Sequence, residues 1–325
     1  MTKHFIEYLL TAALAVMTAQ SCVSKIDPIF DESSANRVEA LAERLNETLT
    51  GAPNGWLLEY YPSSGQYYGG FNVFLSFSEG NKVKVGSEVA GKGKTATSTY
   101  SIYQSAGCVL TLDTYNEVMH YFADPETTGG QGAGFGFEGD FEFNVLDLQD
   151  EKITLKGRKT GSTMTMTPMP VSMSWDDYIV ALKEEESAIS KHTRIRYQTA
   201  DNKYDGRING RTLEIFSEVD GEQVTTSYPF IFNLMGVTFY KPLELGDERI
   251  DGLVYNPDMA DGGAFIPVND GAEGYFVPTY PTITDYLMDK HWFFSYKGLS
   301  DYCKKLWDKG TSTCAKLTSC APSCA

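Results

Sequence analysis

Two hydrophobic periods alternate along the chain, and each change of period marks a new element. Val38, Leu41, Leu45 and Leu49 recur at helical spacing behind Ser33 or Ser34. That stripe predicts an amphipathic helix with a serine N-cap, ended by Gly51, Pro53 and Asn54-Gly55. The period then drops to two. Residues 56–61, 71–77, 82–89, 97–103, 109–112, 141–148, 152–158 and 163–167 read as strands, with turn signals such as Glu79-Gly80-Asn81 and Gln149-Asp150-Glu151 at hairpin spacing. A second helical stretch starts at Ser174, with Asp177 as its capping partner and Trp175, Tyr178, Ile179 and Leu182 on the apolar face, and closes near Ile189. Strand periodicity returns at 193–198, 211–219, 223–233, 237–245 and 250–256. A connection rich in Pro, Gly and Asp at 257–281 leads to an expected last helix at 284–293.

Helix followed by meander therefore occurs twice. The expected class is mainly β (α+β): antiparallel meanders forming one or two curled sheets or barrel-like sandwiches, each preceded by a packing helix. The expected organisation is a signal peptide at 1–21, a lipid anchor and tether at 22–33, a helix plus β domain at 34–170, a second helix plus β half at 171–300, and a Cys-rich tail at 301–325.

The first residues change the picture from fold to location. Lys3 and His4 precede an apolar run from Tyr8 to Met17, followed by Ala19-Gln20-Ser21-Cys22. This is the layout of a secretory signal peptide with small residues before a cysteine, and it resembles a bacterial lipobox. The run is shorter than the roughly 20 residues of a permanent span. Lipidation of Cys22 and an exported, membrane-anchored protein are therefore expected, in the outer membrane and more at the cell surface than on the periplasmic face.

A net charge of −16 disfavours nucleic acid and anionic headgroups as partners. Of six cysteines, Cys303, Cys314, Cys320 and Cys324 crowd into the C-terminal segment. In an exported protein they form two disulfides in one of three pairings, or stand unpaired in a loose Ser/Thr/Ala tail. Their gaps contain no CxxC pair, which argues against zinc. Cys108 reads as a small buried residue near a strand start.

Catalytic signatures are sparse. GxSxG, HExxH and GxxxxGK[ST] are all missing, and Gly132-Ala133-Gly134-Phe135-Gly136 lies among strands, where its glycines serve turns. His120, His192 and His291 lie in separate segments, so neither a metal nor a cofactor is expected. Asp201-Asn202-Lys203-Tyr204-Asp205-Gly206 imitates a calcium loop but places Lys203 at an oxygen position, and it reads as a hairpin turn. Asp247, Glu248, Asp251, Asp258 and Asp261 read as a solvated face. Glu138, Asp140 and Glu142 are the carboxylates of an alternative reading, a hydrolase of peptides or glycans.

Aromatics carry more. Twenty Tyr, eighteen Phe and four Trp make up 13% of the chain. Tyr67-Tyr68-Gly69-Gly70 lies in a polar loop, and Tyr115, Asn116 and His120 in another. Exposed tyrosines beside glycines offer flat amphipathic contact for sugars, peptides or a protein. These seven residues are the candidate ligand or partner contacts.

Several of these segments also form a set. Arg37, Gly55-Trp56, Tyr60-Tyr61-Pro62, Tyr68-Gly69-Gly70-Phe71, Ser98-Thr99-Tyr100, Thr114-Tyr115-Asn116 with His120, Gly139-Asp140-Phe141-Glu142-Phe143 and Leu155-Lys156-Gly157-Arg158-Lys159 together resemble a family of Bacteroidetes lipoproteins of unknown function. Such lipoproteins tend to be encoded beside SusC/SusD-type outer-membrane nutrient importers and a zinc metallopeptidase lipoprotein. The resemblance implies an accessory binding or docking subunit of an uptake system with peptide or glycan cargo, or a purely structural importer subunit. It carries no catalytic residues, and the cysteine-rich end is not part of the pattern.

Overall fold

The computed structural model describes residues 34–127, 134–199, 203–219, 221–260, 262–269, 272–280 and 295–316, with the backbone alone at 34, 35, 219 and 310–316. The expected signal peptide, the anchor Cys22, its tether, and the helix expected at 284–293 lie outside the described residues. So do His291, Cys320, Cys324 and the side chain of Cys314.

The fold is mainly β, in two closed eight-stranded antiparallel barrels. Helix α1 (Ser34–Gly51) precedes β1 (Trp56–Tyr60), β2 (Phe71–Ser78), β3 (Lys82–Ser87), β4 (Thr95–Ser105) and β5 (Gly107–Leu112). A short α2 (Glu117–His120) leads to β6 (Glu142–Gln149), β7 (Lys152–Gly157) and β8 (Thr163–Pro168). Each strand pairs with the next, and β8 returns to β1 through Leu58↔Met166, so the sheet has no free edge.

Inward positions of this barrel are filled. Leu58, Tyr60, Val73, Leu75, Val85, Leu110, Phe143, Leu155 and Met166 are all buried. The strands are joined at one end by tight turns and at the other by the long connections 61–70, 88–94, 113–141 and 158–162. Helix α1 closes the tight-turn end. Its Leu45 and Leu49 are fully buried, a gain of about 1.5–3 kcal/mol each. Trp56 Nε1 donates to Leu49 O at 3.0 Å, and Tyr100 Oη to Asn46 Oδ1 at 2.7 Å. Cys108 is buried in β5, as its apolar setting predicts.

Helix α3 (Trp175–Ile189) begins where the sequence places it. Ser174 Oγ accepts from Asp177 N at 3.1 Å, the N-cap bond, and donates to Asp177 Oδ2 at 2.7 Å, so the two residues are capping partners. Trp175 stacks on Phe74 with ring centroids 5.5 Å apart, and Tyr178 Oη donates to Asn72 Oδ1 at 3.2 Å. The chain divides into compact units Met1–Lys183 and Glu184–Ala325, so the border falls within α3.

The second barrel comprises β9 (Arg194–Gln198), β10 (Lys203–Asn209), β11 (Thr212–Val219), β12 (Glu222–Asn233), β13 (Gly236–Leu245), β14 (Glu248–Asn256), β15 (Ala264–Pro267) and β16 (Tyr275–Pro278). It closes where Phe276 of β16 pairs with Tyr197 of β9. Phe230, Phe232, Phe265, Phe276, Leu213 and Ile250 fill the interior. The apolar void among such residues is about 10 Å³, at the limit for a single water.

Four expectations are corrected. The stretch read as a hairpin turn is a strand from Lys203 onward, with Asp205 bonded to Arg196 Nε at 2.6 Å. Two short strands, β15 and β16, interrupt the connection read as irregular. Glu248 does not merely face solvent: it accepts a hydrogen bond from Tyr197 Oη, whose ring is fully buried. The segment read as the start of a loose tail forms α4 (Asp301–Lys316) after a 3₁₀ turn at Tyr296–Gly298. Cys303 on α4 is exposed, and no disulfide joins the described cysteines, Cys108 and Cys303.

Candidate functional site

Antiparallel topology alone collects both aromatic loops at one place. The connections 61–70 and 113–141 each follow an odd-numbered strand of the first barrel, so both lie at its long-loop end. A chain of ring contacts then joins them. Tyr68 meets Phe137 at 5.1 Å, Phe137 meets Tyr121 at 5.7 Å and Phe122 at 5.8 Å, and Phe122 meets Tyr60 at 4.9 Å. In the same connection His120 lies between Phe141, stacked at 4.7 Å, and Tyr115 at 5.0 Å.

The seven sequence candidates fall into two roles. Tyr67 and Tyr115 are 67% and 70% exposed and present their rings to solvent. Tyr68 and His120 are half-buried supports beneath them. Gly69 and Gly70 are buried, and Gly69 N donates to Gln66 O at 2.9 Å to close the turn. Asn116 is a positioning residue rather than a contact. It is the buried N-cap of α2: Oδ1 accepts from Val118 N and Met119 N, while Nδ2 donates to Ala96 O at 3.2 Å and Ser98 Oγ at 3.1 Å.

Phe135, 59% exposed, is the third surface ring, and sequence reading noted its glycine-rich loop without assigning it. Its position is fixed by the next residue. Gly136 has φ +55°, and a Cβ there would lie 2.2 Å from Asp124 O. Only glycine fits, and the tight approach turns Phe135 out and Phe137 in.

Buried polar contacts hold this end in shape. Tyr60 Oη donates to Asp140 O at 2.9 Å and accepts from Asp140 N at 2.7 Å. Burial, together with the Asp140 charge, pushes the Tyr60 phenol well above its ordinary range, so it remains a donor. The Asp140 carboxylate accepts from Lys159 N at 2.8 Å, Thr160 N at 2.9 Å and Thr160 Oγ1 at 2.5 Å. Ser162 Oγ donates to Ser63 O at 2.7 Å, and Gln66 Nε2 donates to Ser162 Oγ at 2.9 Å. Three of the five described non-glycine residues with positive φ, Ser63, Gln66 and Glu138, belong to these loops. Strain of about 1–3 kcal/mol apiece persists where surrounding structure over-determines it.

Two carboxylates of the alternative hydrolytic reading have partners of their own. Asp140 is committed to the 159–160 turn, and Glu142 lies 3.9 Å from Arg158 Nη1. Beside α2, an open groove of about 630 Å³ runs between the 88–94 connection and Glu117, Val118 and Tyr121. Asp176 Oδ1 accepts from Gly93 N at 2.8 Å and fixes its outer wall. Among the described residues, no three His, Cys, Asp or Glu side chains gather as a metal-holding group. No described helix is long and apolar enough to cross a membrane.

These residues define a double-barrel β protein whose first barrel carries a pre-organised aromatic loop end. The chain belongs to the family described as Domain of unknown function (DUF4302), which matches residues 26–257. The match spans the whole first barrel and the second as far as β14. The resemblance to a family of unknown function thus holds at that level. No curated protein and no solved structure matches the chain significantly.

Proposed function

We propose that this protein is an accessory lipoprotein of a Bacteroidetes SusC/SusD-type nutrient importer. In this reading Cys22 carries the lipid anchor, the outer membrane is its location, and the long-loop end of the first barrel contacts peptide or glycan cargo or the importer. The carrying observation is that Tyr67, Tyr115 and Phe135 are three exposed rings on the long connections at one end of the first barrel, where buried aromatics and hydrogen-bonded turns support the loops. Rigid aromatic rings lose little entropy on binding and cover both apolar and hydroxylated partners.

The filled interiors support contact from outside rather than enclosure. The leader pattern and the motif set support the anchor and the importer context. Neither observation asks the protein to perform chemistry.

A pull-down of the tagged lipoprotein from detergent-solubilised outer membranes, followed by mass spectrometry, tests the proposal. Recovery of a SusC/SusD-type pair with bound peptides or glycans is the expected result. Recovery of the lipoprotein alone, together with cleavage of peptide or glycan substrates by the isolated protein, would replace it with the hydrolytic reading.

A further inference from the structure

In the second barrel, β12 is paired unequally on its two sides. One side pairs with β11 from Thr212↔Pro229 to Val219↔Glu222, whereas the other pairs with β13 only from Phe230↔Phe239 to Asn233↔Gly236. Among the described residues, no strand is paired along that second side of residues 222–229. Exposure agrees with the pairing. Glu222, Gln223, Val224, Thr225, Thr226 and Ser227 are all exposed, so both faces of this stretch stand in solvent.

The direction of the backbone groups follows from one bond. Phe230 N donates to Arg211 O at 2.9 Å, so even-numbered residues of β12 turn their N–H and C=O toward β11 and odd-numbered residues turn theirs away from it. Gln223, Thr225 and Ser227 therefore hold an N–H and a C=O each along the open edge. Two prolines account for the opening. Continued past Phe230, the β12–β13 register would set Pro229 opposite Tyr240 and Pro242 opposite Ser227, both at positions that exchange main-chain hydrogen bonds. Proline has no N–H to give, so the exchange fails at both places and the ladder stops.

A row of alternating backbone donors and acceptors is matched by one kind of ligand, another extended backbone. Residues 222–228 span roughly 20 Å at about 3.3 Å per residue, the length of an ordinary strand. The side chains along the edge are mostly short and polar, so the main chain rather than a pocket does the recognising. Charge selects the sign of the partner. Glu222 opens the edge, Glu218 is cross-strand from Gln223, and Glu244 would fall opposite Thr225 in the continued register; all three are exposed, with Lys241 the exposed cation on the same stretch of β13. With a net charge of −16, the chain attracts a basic strand and repels a second copy of itself.

We propose that the open edge of β12, residues 222–228, captures an extended basic peptide segment as an added β-strand. The site stands on observations independent of the aromatic end of the first barrel.

The test is fluorescence anisotropy of a labelled peptide of alternating Lys and Thr against the intact protein at about 0.15 M salt, with circular dichroism to check folding. Two further peptides serve as comparisons: a fully N-methylated form, which keeps the charge and loses the N–H donors, and a form with Glu in place of Lys. The Lys-Thr peptide should bind, and both comparison peptides should bind about tenfold more weakly or worse. Thr225→Pro deletes an outward N–H and leaves the bonds to β11 in place, so the folded variant should lose about tenfold or more in affinity for the Lys-Thr peptide. Tyr67→Ala with Tyr115→Ala should leave that affinity unchanged. Absence of Lys-Thr binding, equal binding of either comparison peptide, or full binding by folded Thr225→Pro would overturn the proposal. So would a wild-type dimer in sedimentation that Thr225→Pro dissolves, which would assign the edge to a second copy.

Discussion

Tyr60 and Asp140 clamp one another across the mouth of the first barrel: one phenol oxygen serves both the backbone N–H and the backbone C=O of Asp140, at 2.7 and 2.9 Å. The contact ties the long 113–141 connection to β1. Tyr60→Phe keeps the ring and strands both backbone groups in a buried site. The expected loss is about 2–4 kcal/mol, read as a lower urea midpoint, against less than about 0.5 kcal/mol for the exposed Tyr67→Ala. Equal effects of the two substitutions would contradict the clamp.

Asp140 also organises the neighbouring 158–162 connection through Lys159 and Thr160. Asp140→Asn replaces one acceptor by an NH₂ group aimed at donors, at a cost of about 2 kcal/mol. Thr160→Val removes one of the same bonds. A double-mutant cycle should therefore show coupling above about 0.5 kcal/mol, and simple additivity would deny the shared turn.

Glu59 gives a pH signature. Burial raises its carboxyl above the ordinary 4.5, with nearby Lys152 partly offsetting this. The folded state thus holds the proton more tightly than the unfolded chain. The associated stability is present below pH 4.5 and is lost as pH rises through the elevated value. Glu59→Gln should leave the melting temperature near its original value at pH 4 and raise it at pH 7.5. An equal change at both would show that ionisation is not the cause.

His192 in the second barrel behaves in the opposite way. Burial, aided by Lys191, lowers its ring below the ordinary 6.5. Its Nε2 pairs with Tyr255 Oη at 2.8 Å. The unfolded chain takes up the proton first on acidification, so stability falls as pH drops below 6.5 toward the lowered value. An NMR titration of His192 should give a midpoint below 6.5, and His192→Gln should flatten the stability profile across that window. A midpoint at or above 6.5 would contradict the desolvated setting.

Much of the fold was legible because its periods are clean. Trp56, Leu58 and Tyr60, or Phe71, Val73, Leu75 and Phe77, put a buried apolar residue at every second position, and the Ser174–Asp177 cap is local chemistry. Strand β10 was illegible for a physical reason. Its outward side is charged, and its inward Gly206 leaves the space to Leu213 and Ile215, so no hydrophobic alternation survives. Strands β15 and β16, four residues each, are too short to establish a period.

The candidate site was half legible for a related reason. Tyr67 and Tyr115 stand out in polar loops, yet what joins the loop of Tyr68 to the 113–141 connection is Phe137, distant in sequence from Tyr68 and turned inward by a steric demand at Gly136. Asn116 looked like a contact because a cap and a ligand-binding amide share the same residue type. Closure of the barrel, which sets all four long connections at one end, is a tertiary fact that no local pattern announces.

The central claim is that the Tyr67, Tyr115 and Phe135 surface is the contact face of an importer accessory. Its most direct test is a parallel pull-down of wild type and the Tyr67→Ala, Tyr115→Ala, Phe135→Ala variant from solubilised outer membranes, with matched folding shown by circular dichroism. The account predicts that wild type retains a SusC/SusD-type pair or its peptide or glycan cargo and that the equally folded variant loses what it held. Equal retention by the variant, or recovery of wild type with nothing bound, would contradict it.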